Sequence, residues 1–553
     1  MVAVLAWGVF LRVFRFDTFE FKGDELEGIM RGLEAPAQHW WIDHGATASV
    51  HIPFGPAFSY IMGLLTAVSP DPYVLTALIL AANIFVLMLA VLFFAEFSKD
   101  QKQFSLCVFL FSLSPYLIIF SRKIWQPNLL LLFVIPLVLM TARVHKAPRL
   151  FLPIGLLTSV IVQLHHSGIF YVPVLICFVV LSFRLAGRRT EDEERSRTAA
   201  GMCSPPLSAT PSPAPPATRR FSFSVIRNSS SVPRANPDHN APTGQVHAFW
   251  PAVGLIAFIL PLVPYLSFLI HNFRQAGIVQ WAARTPYHFG AQGAIKWALF
   301  SATGSHFWRY MFSGRSPDWS WPVAPLPGAV VVFCYLLVVP LLLGVFNYVK
   351  SALIFIRAGS FDPAARPDLR DLLCTLSIVF VFVIYCLVLD HGRPHHFTII
   401  LPFLILALSD GILSLRSLYA TSTRPLFRRL GTPALILLLA GLISYAFQYT
   451  FVLLYVNANN GSTGEYGICF REQREAAKKI ALLADRGQIG INPAVGLDNS
   501  FSSSRKAELQ DTIAYICKTE FGTEVVFNPN AKPCAKTLKL LKTGEKLHIE
   551  ISE

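Results

Sequence analysis

Eleven apolar stretches recur along this chain, and they limit what it can fold into more than any other feature. They lie at 1–11, 73–97, 104–120, 128–141, 150–164, 169–183, 249–270, 327–349, 372–389, 397–413 and 433–456. A hydrocarbon core roughly 30 Å thick needs about 20 apolar residues per helix. Hydrophobic residues make up 53% of the 553 and charged ones 14%, which excludes a water-soluble globule. The first stretch is short and carries no cleavage motif, so it reads as a membrane helix rather than a removed signal. The expected fold is a polytopic α-helical membrane protein of about 11 transmembrane helices with a small C-terminal extracytoplasmic α/β domain.

The charge pattern gives this expectation an orientation. With the N-terminus in the cytoplasm, the loops at 98–103, 142–149, 184–246, 350–370 and 416–429 hold most Lys and Arg of the membrane region, the positive-inside pattern. The formal charge of +14 therefore reflects topology. The basic residues sit in loops and are not interleaved with aromatics on one face, which argues against a nucleic-acid partner. The loop 12–72, the loop 272–321 and the tail then face outside. The segment 51–69 reads as a juxtamembrane helix on that face, because a full crossing there would move the Arg-rich insert outside. The insert 190–243, rich in Ser, Pro, Ala and Arg, is expected to be disordered.

These boundaries divide the chain into a membrane domain, 1–456, and a C-terminal domain, 457–553. In the tail, 472–485 and 506–519 read as amphipathic helices, and 524–527 and 546–551 as strands. Cys469, Cys517 and Cys534 lie there, where one disulfide is conceivable in an oxidising compartment.

The segment 19–32 places six acidic or basic residues between apolar stretches, among them the pair Asp24 and Glu25. Acids so close to a bilayer are expensive. They serve either as helix-capping acids in a first turn or as functional groups. Other polar residues gather at the same ends of the spans: His51, Arg122, Lys123, Gln126, Asn128, His165, His166, His271, Asp390, His391, Arg393, His395 and His396. The span interiors are nearly free of charge. A transporter needs ionisable groups or broken helices near the midplane, so this distribution favours chemistry at the outer surface. His39, Asp43, His44 and His51 have ligand types for zinc but irregular spacing, and no DxD motif stands in the first loop, so no metal is expected.

The chain resembles the C-type membrane glycosyltransferases that use polyprenyl-phosphate sugar donors, a group that includes protein O-mannosyltransferases and aminoarabinose transferases. The resemblance rests on Leu11-Arg12-Val13, then Gly23-Asp24-Glu25, the run from His51 to Tyr60, and Ser114-Pro115 with Ser121-Arg122-Lys123-Ile124-Trp125. It implies Asp24 as the base toward the acceptor and Glu25 as its support. Arg122, Lys123, His51 and Arg393 are implied contacts to the donor phosphate, since guanidinium and ammonium groups suit phosphate oxygens. No cofactor is implied beyond the lipid-linked sugar. The implied partners are that donor, membrane lipids and an extracytoplasmic acceptor. Several relatives carry a second acid after the arginine-like block, where this chain has Gln126 and Asn128. Two other classes fit an outer-face site. A polysaccharide ligase would lean on Arg284 with His288 or His306 with Arg309, and a non-catalytic assembly subunit would need no base.

Overall fold

The computed structural model describes residues 1–46, 53–181, 183, 243–272, 291–305, 307, 311, 333–358, 369–388, 394–421, 425–461, 466–483, 489–492, 503–527, 536–543 and 546–552. His51, Arg393, Asp390, His391, Cys534, most of the insert and the ligase-type residues Arg284, His288, His306 and Arg309 lie outside them.

The chain opens with the apolar helix α1, Val2–Val13, followed by α2, Gly23–Ala37, and α3, Ala57–Val68. Helix α4, Pro72–Phe97, shows clear start signals: the Asp71 side chain accepts from the Tyr73 N–H at 2.8 Å, and Pro72 stands where no N–H is needed. Then come α5, Gln101–Ser112, α6, Pro115–Phe120, α7, Gln126–Thr141, and α8, Phe151–Leu164.

The stretch 104–120, read as one crossing, is a broken helix. Pro115 lacks the N–H that α5 would need to continue, and Ser114 caps the new helix α6 through the Leu117 N–H. Six helices among the described residues are long and apolar enough to span a bilayer: Pro72–Phe97, Phe249–His271, Phe333–Ile356, Leu369–Leu387, His395–Thr421 and Arg429–Asn459. Five shorter apolar helices accompany them, Val2–Val13, Ala57–Val68, Gln126–Thr141, Pro148–Leu164 and His166–Leu181. Of the eleven crossings expected, the described residues thus show six helices of spanning length, together with five shorter apolar ones.

The middle of the bundle is the helix Leu401–Thr421, in which every residue from Leu401 to Ile412 is buried. A helix apolar on all sides belongs inside a bundle. It crosses Val338–Ala358 at paired glycines: a Cβ on Gly344 would stand 1.7 Å from the Ala407 carbonyl oxygen, and one on Gly411 1.7 Å from that of Pro340. Only glycine lets the two backbones meet so closely.

Past the last long helix, Phe470–Leu483 and Ser503–Phe521 are the two tail helices. Strands β1, Ile489–Asn492, β2, Val525–Phe527, β3, Lys536–Thr543, and β4, Lys546–Ser552, form a sheet in the order β2-β1-β3-β4. β1 runs parallel to both β2 and β3, and β3 and β4 pair antiparallel. Both tail helices and the strands β2 and β4 agree with the sequence reading, whereas β1 and β3 went unread. Cys469 and Cys517 are separate buried thiols, so they do not bond to each other.

Candidate functional site

Helix α2 decides which member of the acidic pair faces water. Its buried positions, Glu25, Gly28, Ile29, Gly32 and Ala35, form one helical stripe, packed on α3 through Gly28 against Phe58 and Gly32 against Met62. Glu25 falls on that stripe and is 0% exposed, while Asp24, one position off it, is exposed. At the third helical position Glu25 also reaches back, and its Oε2 accepts the Lys22 N–H at 2.8 Å. Among the described residues the Asp24 carboxylate makes no hydrogen bond or ion pair. It points from the first helical turn with its oxygens available.

The other Glu25 oxygen meets a cation from a different part of the chain. Lys123, in the turn between α6 and α7, places Nζ 2.9 Å from Glu25 Oε1 and 2.9 Å from Glu20 Oε1, and Lys22 closes on Glu20 as well. Burial pushes the Glu25 carboxyl up, and with the repulsion of Glu20 and Asp24 it outweighs Lys123, so the group titrates at about 7. Glu20 is also buried, but Lys123 and Lys22 overcome that cost and hold it below the usual carboxylate range. Burial works against the Lys123 ammonium too, yet Glu20 and Glu25 carry its pKa well above normal. Lys123 thus answers two carboxylates rather than standing free for a phosphate.

Arg122 is likewise engaged. Its guanidinium is buried, donating to the Tyr449 hydroxyl at 2.6 Å, to the Arg15 carbonyl and to Thr18 Oγ1 at 3.3 Å, with its charge over the Phe16 ring. It ties the loop after α1 to the last long helix. Of the cations read as phosphate contacts, the two described are therefore held by protein groups.

A second cluster lies next to the first. Lys123 Nζ sits 4.8 Å above the Trp125 ring, and Trp125 meets His395 edge-on with centroids 4.5 Å apart. His395 in turn faces His396 and His165, the residue that closes α8. One ligand atom from each of these three imidazoles lies within 4.8 Å of the others, the one such group of metal-capable side chains among the described residues. Phe54, at the entry to α3, stacks on His165 and His166. By contrast His44 pairs with Asp43 at 2.6 Å and stacks on Phe268, while His39 is exposed.

The sequence reading gathered His165, His395 and His396 as outer-end residues but did not join them. No spacing rule relates positions so far apart, and only the packing of the turn His166–Phe170, which His165 caps, against the turn at Pro394–Ile400 unites them.

Helices long enough to cross a membrane, with a polar cluster at one end of the bundle, define the class: a helical membrane protein. No family model and no curated protein matches the chain. Among solved structures, the archaeal oligosaccharyltransferase AglB from Archaeoglobus fulgidus, in complex with an inhibitory peptide and a dolichol-phosphate, aligns over 96% of this chain with a TM-score of 0.41 and 11% identity. The Archaeoglobus fulgidus oligosaccharyltransferase tethered by a disulfide bond to an acceptor peptide containing the NVT sequon aligns over 96% as well, with a TM-score of 0.41 and 12% identity. This chain spans 64% of the length of each.

Proposed function

We propose that this chain is an integral membrane glycosyltransferase that moves a sugar from a polyprenyl-phosphate donor to an extracytoplasmic acceptor, with Asp24 as the acceptor-side base. The observation that carries this reading is the division of labour within the acidic pair. Glu25 is spent on capping α2 and on Lys123, whereas Asp24 is exposed beside that cluster and its carboxylate is available.

In the proposed reaction an acceptor hydroxyl or amine attacks the anomeric carbon and gives its proton to Asp24. The bond between that carbon and the phosphate oxygen breaks, and the polyprenyl phosphate leaves with the electron pair. Developing charge on the phosphate needs cationic donors. His51 and Arg393 keep that role from the sequence, and Lys123, fixed between Glu20 and Glu25, holds the turn next to the site. In this reading the bundle end bearing Asp24 faces outside and the N-terminus lies in the cytoplasm.

The test is transfer of labelled sugar from a set of polyprenyl-phosphate sugars by the purified, detergent-solubilised chain. Asp24→Asn keeps the size of the side chain but cannot take the proton, so turnover should fall by about 10² to 10⁴ with the melting temperature unchanged. Full activity in Asp24→Asn would overturn the reading.

A further inference from the structure

We propose that His165, His395 and His396 form a binding site for one divalent transition-metal ion of the zinc class. The site is distinct from the Asp24 carboxylate and does not rest on the glycosyltransferase reading. Zinc takes imidazole nitrogens at about 2.0 to 2.1 Å in a tetrahedron, which sets them roughly 3.4 Å apart. The three imidazoles already bring one ligand atom each within 4.8 Å of the others, so small ring rotations close the remaining gap.

The surroundings fit ligation. A metal-bound histidine characteristically donates its second ring N–H to a neighbouring oxygen, which fixes the tautomer. The Ser167 N–H donates to His165 Nδ1 at 3.2 Å and Ser167 Oγ lies 2.7 Å from the same nitrogen, so an ion on Nε2 requires the ring proton to move to Nδ1 and be donated to Ser167 Oγ in place of the backbone contact. His396 is stacked on Tyr385, whose hydroxyl donates to the His396 carbonyl at 2.9 Å, and His395 is braced against Trp125. The turn that carries both is anchored by Tyr116, hydroxyl to hydroxyl with Thr398 at 2.7 Å. A fourth histidine, His166, lies outside the group; its Nε2 is 3.2 Å from the Pro53 carbonyl, which it meets as a donor. Three protein ligands leave one tetrahedral position for an oxygen from outside the chain, the count of sites that keep an open position rather than purely structural ones.

Neutral imidazoles are also what a largely buried pocket tolerates. Three imidazolium groups this close would repel one another in a low dielectric, and an ion bound to neutral rings gives the cluster a reason to stay together.

The experiment uses the full-length, tag-free chain in detergent, stripped with a chelator and equilibrated with Zn²⁺ alone, with metal content read by mass spectrometry. One equivalent per chain is expected. Co²⁺ alone should give the intense visible absorption of a four-coordinate site. His165→Ala and His396→Ala should each abolish stoichiometric binding, Ser167→Ala should weaken it about 10- to 100-fold, and His271→Ala should leave it intact. A wild-type chain that takes up no zinc and shows no four-coordinate cobalt band overturns the proposal without reference to any variant. Equal zinc content in the wild type and the two histidine variants overturns it as well.

Discussion

At the scale of single residues, Glu25 and Arg122 behave as structural groups whose loss should be visible in stability. The raised Glu25 carboxyl binds its proton more tightly in the folded chain than in the unfolded one, whose ordinary value is 4.5. Stability tied to this group is therefore fully present below that value and is lost as pH rises through about 7. The melting temperature of the wild type, measured against that of Glu25→Gln, should accordingly fall between about pH 5 and about pH 8. A difference that stays flat across that window would remove Glu25 from the buried cluster. Arg122→Ala strips three donor contacts from a buried site, and hydrogen bonds to charged groups are worth roughly 1.5 to 3 kcal/mol each. A loss of about 3 kcal/mol is expected, against about 0.5 or less for exposed Lys350→Ala. Equal unfolding midpoints for the two variants would show that Arg122 does not brace the loop. The sequence reading divided the acidic pair by resemblance, Asp24 as base and Glu25 as support, and not by burial. The signal was there: 25, 28/29, 32 and 35 follow helical periodicity, and 24 does not.

At the scale of elements, glycine pairs set how closely the bundle can pack. Gly344 and Gly411 hold the helices Val338–Ala358 and Leu401–Thr421 in backbone contact, and Gly155 and Gly254 do the same for α8 and Thr243–Ile259. Gly411→Val would drive a side chain into the Pro340 carbonyl, a backbone atom that cannot swing aside. Overpacking of this kind costs about 1 to 3 kcal/mol or more. The variant should melt well below the wild type in detergent, and an unchanged melting temperature would refute the close crossing. Hydropathy made the long helices legible because burial in lipid and burial in protein demand the same residues. It could not show that 104–120 breaks at Pro115, since apolar side chains continue on both sides of the proline, nor that Leu401–Ile412 is the helix surrounded by protein. Strand β3, rich in lysine, lacked the alternation that marks a half-buried strand.

At the scale of the molecule, the tail is joined to the first loop rather than standing apart. Glu20 and Cys469 form an antiparallel bridge, Phe470 N–H donates to the Phe19 carbonyl at 2.9 Å, and the two rings stack at 4.5 Å. Gln473 reaches the Phe21 carbonyl at 2.8 Å and the Tyr515 hydroxyl that of Pro70 at 2.8 Å. Composition set the tail apart from the apolar spans but did not show this seam, because the acceptors of its hydrogen bonds are backbone carbonyls that every sequence possesses. The seam fixes a relation of sides. Helix α4 begins two residues after Pro70 and runs for 26 residues, about 39 Å at 1.5 Å per residue, enough to cross the hydrocarbon core. Cysteines placed at exposed Gln38 in the first loop and exposed Lys479 in the tail should thus react together with a membrane-impermeant reagent, and one at exposed Lys102, beyond the end of α4, should react only from the opposite side. Labelling of all three from one side would mean that α4 does not cross. Labelling of Gln38→Cys and Lys479→Cys from opposite sides would break the seam that positions Glu20, Lys22 and Lys123 around Glu25.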